Sequence, residues 1–460
     1  MSFFKNRRMI AGLSAIVVFS VLGWAETIPR RENVAVVIHA EDPALSALDA
    51  YIHNNDPSFR WEIVSNSADD NGVSYVLNMT SQTWQNIEWK HTMYVIEPAK
   101  MTNSEQCILF ITGGAIGNGP RESEMRSAQS LAALSGMCVA VLWQVPNQPL
   151  LGGYNEDGLI TETFLKALET KDMTWPLLFP MAKSAVRAMD AVQELVKIHR
   201  NNHIKGFVVY GASKRGWTTW MTAATKDSRV VAIAPMVINV LNMQVQGEYQ
   251  FTNWGFYSEQ IGDYSRRKLL TNQIDPNASA EEKELRDRLW HSIDPYFYRE
   301  RVAIPKLLIH GTNDRYWNLD ATKFYWNDLV GAKYILTLPN VGHNLGGEQD
   351  KALKTIAAYA KLIGDGGVLP EITWKMELKN DFYTISVTSN ISAIGVKLWV
   401  ARSEGRDFRE AKWNSTDLDV SGNFLATVAK PESGHVGFYI EIETEYKGIP
   451  CSLTTEVFNP

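Results

Sequence analysis

Between residues 107 and 364, short apolar runs alternate with stretches of helical period, and few folds accept such a chain. "CILFIT" (107–112), "CVAVLW" (138–143), "GFVVY" (206–210), "VVAIA" (230–234), "PKLLIH" (305–310) and "KYILTL" (333–338) read as strands buried on both faces. The stretches 122–136, 182–200 and 349–364 space their apolar residues three and four apart, as in Val186, Met189, Val192 and Val196. Each can lay one apolar face on a sheet. Strands and helices alternating in this way give a mostly parallel sheet covered on both sides. Two earlier runs, 74–80 and 91–97, lie close enough to pair antiparallel and bring the expected sheet to eight strands. Residues 43–55 read as a helix, and "RWEIVS" (60–65) as an added edge strand.

About 70 residues separate the sixth and seventh runs, too many for a simple crossover. They read as a mainly helical cap over about 236–302, rich in aromatic residues such as Tyr249, Trp254 and Trp290. Past "GDGGVLPEI" (364–372) the period changes from helical to alternating. Six or seven short strands over 370–460 suggest a β-sandwich of immunoglobulin or fibronectin type.

Lys5, Arg7 and Arg8 precede an apolar stretch of 14 residues, Met9 to Leu22. Gly23 and Ala25 then put small residues where a signal peptidase inspects the chain. Residues 1–25 read as a secretory signal peptide, which implies a secreted or periplasmic protein. An uncleaved anchor is the alternative, and 14 residues are short for one. Export makes disulfides possible. Cys107 and Cys138 each open a strand and lie at the same end if those strands are parallel neighbours. A Cys107–Cys138 disulfide is therefore expected, with two buried thiols as the alternative. The net charge of −6 is not gathered into a run, which argues against a nucleic-acid partner.

Chemistry concentrates in the segments that follow the strands. These are "GGAIGNG" (113–119), "GASKRG" (211–216), "GTNDRYW" (311–317) and "PNVGHNLGG" (339–347). In an open parallel sheet such loops converge on one crevice. Ser213, Asp314 and His343 then meet in the chain order of the α/β-hydrolases. A serine hydroxyl needs a base to become a nucleophile, and His343 suits that role. Asp314 would hold the histidine tautomer, with Asp320 a weaker candidate for the same place. Oxyanion donors are expected from the Lys214 backbone and from Gly114 or Ala115. No metal-ligand spacing is present, and "GGAIGNG" lacks the Lys-Ser/Thr of a nucleotide loop, so neither a metal nor another cofactor is expected.

The serine turn departs from the usual Gly-x-Ser-x-Gly. Arg215 stands where glycine is normal, and Gly216 comes one place late. Gly-x-Ser-(Lys/Arg)-x-Gly resembles the elbow of glucuronoyl esterases, which cleave sugar-acid esters. On that likeness the Lys214 side chain adds charge at the oxyanion hole or meets an acidic substrate. A solvated lysine on the first helical turn is the plain alternative.

"SQTW" (81–84), "ITGGAIGNG" (111–119), "DGLITETF" (157–164), "GASKRGWTTW" (211–220), "GTNDRYW" and "PNVGHN" together resemble the PhoPQ-activated pathogenicity-related family over roughly residues 40–460. The resemblance implies an exported protein with an α/β-hydrolase core over 26–365. Bacterial members are named for a two-component system linked to virulence and to resistance against antimicrobial peptides. The family also includes a secreted autocrine proliferation repressor of social amoebae. Two expectations follow. One is a secreted serine hydrolase acting on a small-molecule, peptide or glycan ester. The other is a non-catalytic signalling protein that engages a protein partner through its C-terminal unit.

Overall fold

A sheet of thirteen strands runs through the molecule. The computed structural model describes residues 43–270, 273–420 and 422–460, which fall in one compact unit. The leader expected over residues 1–25 lies outside them. Helix α1 (Pro43–Ile52) leads into an antiparallel meander of β1 (Arg60–Asp69), β2 (Gly72–Trp84) and β3 (Ile87–Pro98). The chain then alternates: β4 (Gln106–Ile111), α2 (Glu122–Ser135), β5 (Cys138–Leu142), α3 (Glu156–Thr170), α4 (Leu178–Arg200), β6 (Gly206–Ala212), α5 (Lys214–Ala224) and β7 (Val230–Met236). The cap follows as α6 (Met243–Trp254), α7 (Gly262–Arg266) and α8 (Ala280–Ile293), and β8 (Lys306–Gly311), β9 (Lys333–Leu338) and α9 (Gln349–Gly364) complete the core.

The strands lie in the order β1-β2-β3-β5-β4-β6-β7-β8-β9, with the six from β5 to β9 parallel. Sequence explains the burial. "CVAVL" of β5 is buried at every position, as a central strand under helices on both faces should be. β1 is mostly exposed, as its polar composition requires of an edge strand.

The C-terminal region adds β10 (Ile372–Lys379), β11 (Phe382–Ser389), β12 (Gly395–Ser403), β13 (Asn414–Asp417), β14 (Phe424–Ala429), β15 (His435–Tyr446) and β16 (Ile449–Thr454). β10, β11 and β14 form a separate antiparallel sheet. Its alternate residues, including Ile385, Val387 and Val428, share a core with Phe438, Ile440 and Val396 of β15 and β12. β16 pairs with β9 at Thr454 and Ile335, so β16, β15, β12 and β13 continue the main sheet. The expected limit of eight strands is therefore corrected. Hydrophobic period identifies a strand, but it does not say which edge accepts it.

The expected Cys107–Cys138 disulfide is also corrected. The strands are parallel neighbours and the two residues are in register, yet both thiols are free and buried. Side chains in register on parallel strands point the same way. Their Cβ atoms then stand about one strand spacing apart, roughly 4.8 Å. A disulfide wants about 3.8 Å and converging Cβ vectors.

Candidate active site

Ser213 sits on the one-residue turn between β6 and α5, with φ 58° and ψ −124°. A serine held at positive φ carries backbone strain of about 1–3 kcal/mol, which the surrounding structure must impose. Two glycines allow the close packing around it. A Cβ on Gly211 would lie 2.7 Å from the Arg215 carbonyl oxygen. A Cβ on Gly216 would lie 2.7 Å from Ile238 Cγ2 and 2.8 Å from the Met236 carbonyl oxygen. Gly216 thus lies against the end of β7 and Ile238 closely after it, while the Arg215 backbone lies against β6 at Gly211. The displaced glycine stands where the helix packs tightly against the Met236 carbonyl and Ile238. The neighbouring Ser213 N–H donates to Met236 O at 2.9 Å, which fixes the turn to β7.

Close approach also joins the other two loops. A Cβ on Gly311 would collide with the Val341 carbonyl. The Asn313 N–H donates to that same carbonyl at 3.0 Å. The loops after β8 and β9 are therefore laced together, and they bring Asp314 beneath His343. His343 Nδ1 lies 2.8 Å from Asp314 Oδ2, and His343 Nε2 lies 2.8 Å from Ser213 Oγ. An ionised carboxylate can only accept, so Nδ1 carries the proton. Nε2 is then left with a lone pair directed at the serine hydroxyl. Asp314 is buried, and its other oxygen accepts the Tyr316 N–H at 2.9 Å. The Tyr316 ring stacks on the imidazole, with centroids 4.1 Å apart. Asp320 is engaged elsewhere, accepting from Tyr249 Oη and Lys323 Nζ at 2.7 Å each. His310 is buried below Asp314, and burial pushes its pKa down to about 3.

The two basic residues after the serine are not solvated. Lys214 Nζ donates to Asp157 Oδ2 at 2.9 Å and lies 3.4 Å from Glu156 Oε2. Arg215 grips Glu156 with both terminal nitrogens, at 2.7 and 2.8 Å, and its Nε donates to Val145 O at 2.5 Å. The guanidinium lies over Gly113, where any side chain would collide with it. Burial alone pushes the Glu156 carboxyl up. The Arg215 hydrogen bonds and the charges of Arg215 and Lys214 outweigh it and hold the pKa at about 2.

The Lys214 N–H opens α5, where a helix leaves its first N–H groups without intrahelical acceptors. Gly114 has φ 129°, and Ala115 bridges to Gln148. Ser213 and Lys214 line a cavity under the cap, whose lining includes neither Gly114 nor Ala115. Asp157, Tyr264, Tyr316, Trp217 and Trp290 also face that cavity.

Sequence reasoning missed Glu156, Asn313 and Asn340. Asn313 Nδ2 donates to Ala411 O at 2.7 Å, and Asn340 exchanges two hydrogen bonds with the Trp413 backbone. Both asparagines lie within loops already singled out, but their partners lie about 70 to 100 positions away.

This fold is that of the α/β-hydrolases. Acetyl xylan esterase from a Paenibacillus species is similar over 68% of this chain and 92% of its own, at 17% identity and a TM-score of 0.50. Acetyl xylan esterase 1 from Thermoanaerobacterium covers the same shares at 18% identity and a TM-score of 0.47. The likeness to the Paenibacillus enzyme, at 17% identity, speaks to the fold alone. Residues 48–409 match the PhoPQ-activated pathogenicity-related protein family. Autocrine proliferation repressor protein A of Dictyostelium discoideum is 30% identical over 437 residues, 87% of this chain and 86% of that protein. The chain belongs to the PhoPQ-activated pathogenicity-related family.

Proposed function

We propose that this protein is a serine hydrolase that opens an ester or amide through Ser213. The observation that carries the reading is the unbroken chain of two 2.8 Å hydrogen bonds from Ser213 through His343 to Asp314. Ser213 Oγ adds to the carbonyl carbon as its proton passes to His343 Nε2. Asp314 stabilises the imidazolium without taking the proton. The Lys214 N–H faces the oxyanion of the tetrahedral intermediate, with a second donor assigned to the Gly114–Ala115 loop. His343 then returns the proton to the leaving group, and water releases the acyl group by the same steps. The basic and apolar run over residues 5–25 supports export. The β10-β11-β14 sheet, which shares a core with β12 and β15 at the end of the main sheet, supports an immunoglobulin- or fibronectin-like unit beyond residue 370.

A fluorophosphonate probe tests this directly. Wild-type protein takes up one label, Ser213→Ala takes up none, and His343→Ala reacts about a hundredfold more slowly or worse, the usual weight of a general base. A folded wild-type protein that resists the probe sinks the proposal.

The relative named for autocrine repression of proliferation favours a second reading, a secreted signal that keeps the scaffold without turnover. In that case Ser213→Ala retains the full biological effect. Under the hydrolase reading it does not.

A further inference from the structure

The cavity beside Ser213 has a chemistry that selects its occupant. Among the described residues that line it, Lys214 is the one cation and Asp157 the one anion, and they pair with each other at 2.9 Å. Tyr264 Oη donates to the second Asp157 oxygen at 3.1 Å. Behind them Arg215 and Glu156 form a second closed pair. The polar side chains from the cap are engaged too. Gln246 Nε2 donates to Leu241 O at 2.6 Å, and Gln250 donates to Tyr316 O at 2.9 Å while accepting the Ser258 N–H at 2.8 Å. What remains for a ligand is mainly apolar surface from Trp217, Trp290, Ile238, Val240 and Ile261, with the Trp317 indole N–H as an unpartnered but uncharged donor.

We propose that this cavity takes a short, uncharged, apolar acyl group and turns away acyl groups that carry a carboxylate. The proposal rests on the hydrolase reading only in naming the occupant an acyl group. A carboxylate entering here finds no unpaired cation, so it loses its hydration without compensation. Size points the same way. The cavity is about 80 Å³, and one water needs roughly 10–15 Å³ on this scale. It therefore has room for several water-sized groups, enough for a short chain. The basic residues that the sequence set beside the serine act as structural partners of α3, not as anion receptors.

A chain-matched pair of esters tests this. 4-Nitrophenyl valerate and 4-nitrophenyl hemisuccinate differ by a terminal ethyl against a carboxylate. The valerate is expected to show kcat/KM higher by roughly tenfold or more. Asp157→Asn leaves Lys214 with only the more distant Glu156, at 3.4 Å, and is expected to narrow that ratio. A second measurement does not depend on turnover. In Ser213→Ala, methyl valerate is expected to quench the tryptophan fluorescence of Trp217 and Trp290, with monomethyl succinate binding roughly tenfold more weakly or not at all. Equal or tighter binding of the succinate, or no binding of the valerate, overturns the proposal. Fluorophosphonate labelling keeps the two readings apart. An unlabelled Ser213 with the binding preference intact removes hydrolysis and leaves the cavity assignment standing. A labelled Ser213 that turns over both esters equally does the reverse.

Discussion

Asn340 and the Trp413 backbone hold each other through two hydrogen bonds: Asn340 Nδ2 donates to Trp413 O at 3.0 Å, and the Trp413 N–H donates to Asn340 Oδ1 at 2.8 Å. Asn340 is three residues before His343. The C-terminal region thereby braces the loop that carries the proposed base, and Asn313 ties the Asp314 loop to the same segment. Asn340 has φ 57°, so Asn340→Gly removes the side chain without adding backbone strain. Two hydrogen bonds of this kind contribute about 1–3 kcal/mol. The variant is expected to lose about tenfold in the rate of fluorophosphonate labelling while its circular-dichroism spectrum stays that of the wild type. An unchanged labelling rate would mean that the brace serves stability alone.

The convergence of Ser213, Asp314 and His343 was legible because each follows an apolar strand of a parallel sheet, and topology alone gathers such loops. Gly216 was legible only as an anomaly. Its reason lies in Ile238 and Met236, which local sequence does not reveal. Arg215 and Glu156 are 59 positions apart, and no period or motif connects them. Reading Lys214 by itself left a free charge beside the serine, whereas the fold supplies its partner. The C-terminal brace was hidden for the same reason. A strand pattern predicts sheets, but not where the loop between β12 and β13 comes to rest.

The late glycine can be tested by moving it. Restoring the familiar pattern with Arg215→Gly removes the guanidinium that joins α5 to Glu156 and Val145. The change is expected to lower both the melting temperature and the labelling rate, despite making the motif look more ordinary. Gly216→Ala forces a methyl group against Ile238 and the Met236 carbonyl. Overpacking of this kind costs about 1–3 kcal/mol. A parallel thermal melt of the two variants checks both. If Arg215→Gly labels faster than wild type, the account of the elbow is wrong.

Acid should loosen the elbow in a defined window. The Glu156 pKa is held at about 2, below its ordinary 4.5, although burial by itself would raise it. A carboxyl with a depressed folded pKa stabilises the fold above its unfolded pKa. That contribution is lost as pH falls through the folded value. The window therefore runs from about 4.5 down to about 2. Urea melts of wild type and Glu156→Gln are expected to differ at pH 6 and to converge by pH 2. A gap that widens in acid would reverse the assigned sign.

Cys107 and Cys138 offer a check on the fold itself. They stand side by side on β4 and β5, both buried and unbonded. The hydrogen bond that the Cys138 thiol donates to Cys107 and the burial of the pair push it well above its ordinary range. Only thiolates alkylate readily, and neither thiol is accessible. Native protein at pH 8 is therefore expected to leave both unmodified by iodoacetamide over an hour. In denaturant without reductant, all three cysteines should become carbamidomethylated, as peptide mass spectrometry will show. A 107–138 cross-linked peptide from the non-reduced protein would overturn the parallel-register account of these strands and restore the disulfide.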